Sequence, residues 1–241
     1  MNIIKLSAIN STNDYLKQLV LNTNAENFTV VVAEHQTQGR GQMGAEWKVE
    51  SGKNLTFSVL LKQHTFNVSG IFTLNVAVAL SVAQAVIATG IPSVSIKWPN
   101  DILAGNKKMG GILIENSIKS DGSFYAIIGI GLNVNQADFT GLPKATSMYA
   151  ETQREFDKDE VLNAILDALQ SNLLILQSNP ALLWERYHTL LFKKGVPMPF
   201  EKGERRFMGI IQKVTESGML QVLLEDDSLA EYGIKEVQLL Y

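Results

Sequence analysis

The chain has 241 residues, 46% hydrophobic and 19% charged, enough apolar material for one large domain with a small one appended and too much for disorder. A net charge of −3 and a pI of about 5.7 exclude the concentrated basic faces of generic nucleic-acid and membrane-surface binders. The absence of cysteine excludes disulfides, thiolate metal sites and cysteine nucleophiles. It also fits a reducing compartment, and residues 1–11 lack a signal-like apolar run, so a cytoplasmic protein is expected.

Asn10, Ser11, Thr12 and Asn13 place short hydrogen-bonding side chains ahead of Tyr15, Leu16, Leu19 and Val20 at helical spacing, which predicts a helix start. Residues 28–33 are rich in β-branched side chains and predict a strand, as do residues 54–61. Between them lies a Gly-rich loop, residues 39–44. Residues 63–96 contain no Lys, Arg, Asp or Glu, and residues 71–88 are long enough to span a bilayer. Thr73, Asn75, Ser81 and Gln84 interrupt that run, and no basic cluster flanks it, so it reads as a helix buried in a globular core that ends near Gly90 and Pro92. Strands are expected at 94–98, 111–115 and 126–130, then helices at 160–176 and 180–192, the second opening on Pro180. From residue 197 onward, short alternating segments broken by turns predict a small β-barrel. The expected division is a large domain, 1–192, and a C-terminal domain, 193–241. The fold class is α+β, with a mixed or largely antiparallel sheet.

Gly39-Arg40-Gly41-Gln42-Met43-Gly44 fits a dinucleotide-binding pattern, but no helix follows it, so that reading fails. The glycines still permit close backbone approach to a ligand, and Arg40 offers a fixed charge for a phosphate or carboxylate. Lys97 to Asp101 (KWPND) sets a cation, an aromatic, a rigid turn, an amide and a carboxylate at a strand end. Lys107 and Lys108 precede Gly110, Gly111 and a buried strand, and Gly129-Ile130-Gly131-Leu132-Asn133 ends another. Alone, each segment is an ordinary loop or turn. His35, His64 and His188 lack zinc spacing, and nucleophile-elbow and phosphate-loop motifs are absent.

Taken in order, GRGQMGAEW, KWPND, KKMGGILIE and GIGLNVN, with Ser11-Thr12-Asn13 upstream, resemble the biotin protein ligases over essentially the whole chain. The resemblance implies a class II aminoacyl-tRNA synthetase/biotin ligase-like fold with an SH3-like C-terminal barrel. It implies activation of biotin by ATP with Mg2+, and transfer to a lysine of a biotin carboxyl carrier protein, with no tightly bound cofactor. By the same resemblance, Lys108 and Arg40 are catalytic. Biotin falls to Ser11, Thr12, Asn13, Gln36, Gly39, Arg40, Gly41, Gln42, Lys108, Gly111 and Gly129. ATP falls to Arg40, Trp47, Asn100, Asp101, Lys108 and Asn133, with Asp101 as a direct or water-mediated Mg2+ contact. Gln42 stands where the family's loop often carries a second arginine, and Ala45 where it can be basic, which implies faster loss of the adenylate. With Ser11 so near Met1, no DNA-binding module, no nucleic-acid partner and no membrane partner are expected; a homodimer is left open. A lipoate-protein ligase and a non-catalytic ligand-binding or scaffold protein stand as alternatives.

Overall fold

The computed structural model describes residues 1–47, 49–63, 71–118 and 124–241. Two sheets organise it. The larger contains β1 (Ile3–Ile9), β2 (Val30–Gln36), β3 (Leu55–Gln63), β4 (Val94–Lys97), β5 (Asp101–Ala104), β6 (Lys107–Ile118) and β7 (Phe124–Leu132). Their order is β1-β2-β3-β7-β6-β5-β4. Only the β1–β2 pair is parallel; the others are antiparallel, so the expected mixed sheet is present.

Side chains alternate across the sheet with period two, and each face has its own helices. Val31, Leu60 and Ile127 pack with Leu16 and Val20 of α1 (Thr12–Asn22). Val30, Val59, Leu61 and Ile128 join the other core, with α2 (Ile71–Ala88) and α4 (Lys158–Ser178). A short α3 (Met148–Thr152) and α5 (Pro180–Leu190) complete the helices, and Pro180 occupies the first turn of α5 as expected.

Helix α2 is long and apolar enough to cross a membrane, but its residues are mostly buried inside the fold. Asn75, Ser81 and Gln84 among its polar interruptions have partners there. Asn75 Nδ2 donates to the Pro99 carbonyl at 2.8 Å, and Ser81 Oγ accepts from Asn172 of α4 at 2.9 Å. An unmet amide or hydroxyl in a core costs about 1–3 kcal/mol, and these bonds avoid that cost.

The second sheet is antiparallel, in the order β11-β10-β9-β8-β12, built from β8 (Pro197–Lys202), β9 (Arg205–Val214), β10 (Leu220–Leu224), β11 (Leu229–Tyr232) and β12 (Gln238–Leu239). Phe200, Ile211, Val214, Leu220 and Val222 from this sheet belong to the same core as α2 and α5. Trp98 Nε1 donates to the Gly218 carbonyl at 2.9 Å, and the Phe192 N–H donates to the Ile96 carbonyl at 2.9 Å. These bonds fix the small sheet beside the KWPND strand end, where it can wall a cavity.

Strands β1 and β5 and helix α3 are additions to the expected elements. Residue Phe28 takes a positive φ, so β2 begins at Val30 rather than at residue 28. Strand β6 starts at Lys107 rather than at residue 111, so Lys108 and Gly110 also lie within it.

Candidate active site

On the α1 face, β3, β7 and β6 carry almost no side-chain bulk at one end. Gly111 pairs with Gly131, which pairs with Thr56; Gly129 pairs with Ser58 and with Leu113. This makes a shallow floor just beyond the N-terminus of α1. The absence of Cβ atoms is required: one on Gly129 would stand 2.5 Å from Asn13 Oδ1, and one on Gly131 would stand 2.5 Å from Trp47 Cε2. Above the floor lies a cavity of about 670 Å3, of the size that takes small-molecule ligands.

The cavity runs across the sheet from the β2 side to β4. At the β2 end, Ser11 caps α1 by accepting from the Asp14 N–H. The Thr12 N–H and hydroxyl both donate to Gln36 Oε1, at 2.7 and 3.0 Å. Ser58 Oγ, fully buried, donates to Asn13 Oδ1 at 2.5 Å and lies 2.7 Å from Thr12 Oγ1. These groups form a set of fixed donors and acceptors beside apolar Phe57, Ile112 and Ile130. Ser58 was not among the expected residues; its seryl side chain inside a β-branched, apolar strand was the available signal.

At the other end the charge is positive. Lys97, Lys108 and Lys144 gather there; Arg40, on the α1 side, and Lys235 also line the cavity, against one lining carboxylate, Glu46, among the described residues. The pairing of β5 with β6 shifts register between Ile102 and Leu103, so that Gly110 lies opposite Ile102 and Lys108 opposite Leu103. In a regular strand, residues three apart point to opposite faces; the bulge turns Lys108 over Gly111, whose Cβ would stand 3.3 Å from Lys108 Cε. Asp101 Oδ1 then holds Lys108 Nζ at 2.6 Å, and its Oδ2 holds Lys97 Nζ at 3.3 Å. Residues 142–146 run beside Lys108, whose N–H donates to the Lys144 carbonyl at 2.7 Å. That backbone contact brings Lys144 Nζ to 4.6 Å from the centroid of the Tyr241 ring, with Lys97 Nζ at 5.6 Å from it. Burial, then the charge of Asp101, pushes the Tyr241 phenol above its ordinary value.

The Gly-rich loop folds back as a tight hairpin over the floor. The Trp47 N–H donates to the Gly39 carbonyl at 2.9 Å, and the Gly41 N–H to the Ala45 carbonyl at 2.7 Å. A Cβ on Gly39 would meet the Trp47 carbonyl at 2.4 Å, so this glycine lets the two arms of the loop approach each other. The Trp47 indole rests on Gly131 with Lys108 Nζ 5.5 Å from its centroid, and its buried Nε1 has no hydrogen-bond partner.

Ser11, Thr12, Asn13, Gln36, Arg40, Gly41 and Gln42 thus meet Trp47, Asn100, Lys108, Gly111 and Gly129 around one cavity. Three expected site residues do not line it. Gly39 serves the loop's own closure. Asp101 lies behind the lysines it pairs with, and no group of three or more His, Asp or Glu suited to a metal occurs among the described residues. Asn133 is buried, its Nδ2 donating to the Thr146 carbonyl at 2.9 Å. His35 is not on the wall, His188 lies against Val214, and His64 is outside the described residues. Val237, Leu239 and Tyr241 from the small sheet's end are on the wall; they went unnoticed because nothing in their local pattern marks chemistry.

A fixed amide-and-hydroxyl pocket that opens onto clustered ammonium groups is the kind of site an enzyme uses for a small polar molecule bearing an anion. The model of the biotin/lipoate A/B protein ligase family matches residues 6–133. A Bacillus spizizenii protein described as a bifunctional ligase/repressor is 34% identical, over 98% of this chain and 72% of that one. A biotin--[acetyl-CoA-carboxylase] ligase of Mycobacterium tuberculosis is 30% identical, over 79% of this chain and 71% of its own. The solved biotin protein ligase of Aquifex aeolicus with biotin and ATP aligns over 99% of this chain and 98% of that one, with a TM-score of 0.81 and 30% identity. The chain belongs to the biotin/lipoate A/B protein ligase family.

Proposed function

We propose that this chain activates biotin with Mg·ATP to biotinyl-5'-AMP and transfers the biotinyl group to a lysine of a biotin carboxyl carrier protein in the cytoplasm. The observation that carries the reading is the joining, in one cavity, of the Thr12–Gln36–Asn13 amide pocket with Lys108 and its neighbouring cations. Biotin's ureido ring suits the first, together with the backbone at Gly111 and Gly129. Its carboxylate extends along the glycine floor to the second.

In the first step a carboxylate oxygen attacks the α-phosphorus, the bond from that phosphorus to the bridging oxygen breaks, and pyrophosphate leaves. Two unit charges of like sign about 4 Å apart repel by roughly 4 kcal/mol in a partly buried site, a barrier that a single well-placed cation can offset. Lys108 takes that position, held by Asp101 and lying over Gly111. Arg40 serves the same anions from the loop, and Trp47 and Asn100 border the nucleotide. Lys97 and Lys144 face the leaving pyrophosphate. Mg2+ enters with ATP as part of that substrate. In the second step the carrier's neutral lysine amine attacks the acyl carbon, a C–N bond forms, the bond to AMP breaks and the amine loses a proton. This requires no nucleophile from the enzyme.

The test is to incubate the chain with Mg·ATP and either biotin or lipoate, follow pyrophosphate release, then add a carrier domain and weigh it. Biotin-dependent release and a gain of one biotinyl group on the carrier are expected. Release driven by lipoate alone, or by neither acid, overturns the reading.

A further inference from the structure

Arg40 is held from outside the cavity as well as lining it. Its Nη2 is ion-paired with Asp14 Oδ1 and lies 3.9 Å from Glu115 Oε1. Glu115 lies four residues beyond Gly111 on the same face of β6. Its Oε1 accepts from Lys17 Nζ at 2.6 Å, and its Oε2 from Asn13 Nδ2 at 2.6 Å. The second bond also settles the orientation of the Asn13 amide: with Nδ2 turned to Glu115, Oδ1 faces Ser58 Oγ. Burial alone would push the Glu115 carboxyl up. The hydrogen bonds from Lys17 and Asn13 and the charges of Lys17 and Arg40 more than offset this, holding it below its ordinary value. One carboxylate therefore reaches both the Asn13 amide and the Arg40 cation of the glycine hairpin.

We infer that Asp14 and Glu115 are positioning residues that brace Arg40, and with it the loop of residues 39–47, over the cavity, with Glu115 coupling that brace to the Asn13 amide. This rests on the reading that the cavity takes biotin and ATP. A guanidinium carries five N–H donors in a planar fork, so Asp14 on one edge leaves other edges for an anion inside. Without the brace, the loop must order Arg40 each time a ligand binds. The competing explanation is that Asp14, in the first turn of α1, merely supports that helix.

The experiment uses the full chain as wild type, Asp14→Asn, Asp14→Glu and Glu115→Gln. Preformed biotinyl-AMP is chased from the enzyme at low and high salt, and the biotin KM is measured. Asp14→Asn is expected to release adenylate about two- to fivefold faster, the range for a half-exposed ion pair. It should leave the biotin KM unchanged and lose the salt acceleration expected of the wild type, and Asp14→Glu should restore all three. Glu115→Gln is expected to speed release and also raise the biotin KM about tenfold, because it disturbs Asn13. Limited trypsinolysis of the ligand-free chain reads the brace independently: cutting after Arg40 should accelerate in Asp14→Asn and not in Asp14→Glu. Unchanged cutting at Arg40 overturns the inference, as does a wild-type release rate in Asp14→Asn or a change in melting temperature alone. If the wild type forms no biotinyl-AMP, the functional reading fails, and the proteolysis result still decides the brace.

Discussion

Individual glycines carry much of this site, through the bulk they lack. Gly129→Ala would drive a methyl to 2.5 Å from Asn13 Oδ1, displacing the amide that Ser58 and Glu115 hold. The expected outcome is a biotin KM raised by about tenfold or more, consistent with the loss of a charge-assisted hydrogen bond, with the ATP KM changed little. Steady-state pyrophosphate release with each substrate varied checks it. Gln42 offers a change in the opposite direction. It lines the cavity but carries no charge, so Gln42→Arg should slow loss of biotinyl-AMP about five- to tenfold through one more cation on the closed loop. Equal rates for the two chains, followed by chasing the adenylate, would sink that expectation.

At the scale of elements, the sequence disclosed the parts with strong periodicity and hid those set by pairing. Helix α2 was legible from its uncharged run and the termination near Gly90, and α5 from Pro180. Strand β5 was not, because the four residues from the last of KWPND to Ala104 look like the end of a turn; only pairing with β4 and β6 makes them a strand. Strand β1 was missed because it is a half-exposed edge whose neighbour is parallel and distant in sequence. The bulge that turns Lys108 over Gly111 is a property of two strands together and leaves no mark in either alone. The junction of α5 with the small sheet yields a pH prediction. Burial holds the His188 imidazole below its ordinary value of 6.5, opposed by the Val214 carbonyl and aided by the charges of Lys194 and Lys213. Since its folded value is depressed, the unfolded chain takes up a proton that the folded chain resists. The contribution to stability is whole above about 6.5 and is lost as pH falls towards and through the depressed value. Urea unfolding at pH about 7.5 and about 5.5 should show a smaller loss of stability in His188→Gln than in the wild type. An equal loss in both would assign the acid sensitivity to other groups.

The whole molecule assembles its cavity from segments far apart in sequence: the start of α1, a loop after β2, the floor of the main sheet and the last residues of the small one. The identity of the chemistry was legible from KWPND and the lysine-glycine strand. The contribution of the C-terminal residues was not, since Tyr241 acquires its role only when Lys97 and Lys144 converge on its ring. Two cation–π contacts of about 0.5–1 kcal/mol each predict that Tyr241→Ala raises the ATP KM roughly five- to thirtyfold while Tyr241→Phe stays near wild type. An unchanged ATP KM in the alanine variant would remove the small sheet's end from the nucleotide site.

The proposed chemistry depends most on where Lys108 and Arg40 stand when both substrates are bound. A crystal structure of the chain with biotin and a non-hydrolysable ATP analogue measures this directly. It should show Lys108 Nζ within about 3 Å of both the biotin carboxylate and the α-phosphate, with the Arg40 guanidinium against the same anions from the loop side. Finding the two cations apart from each other and from either anion would contradict it.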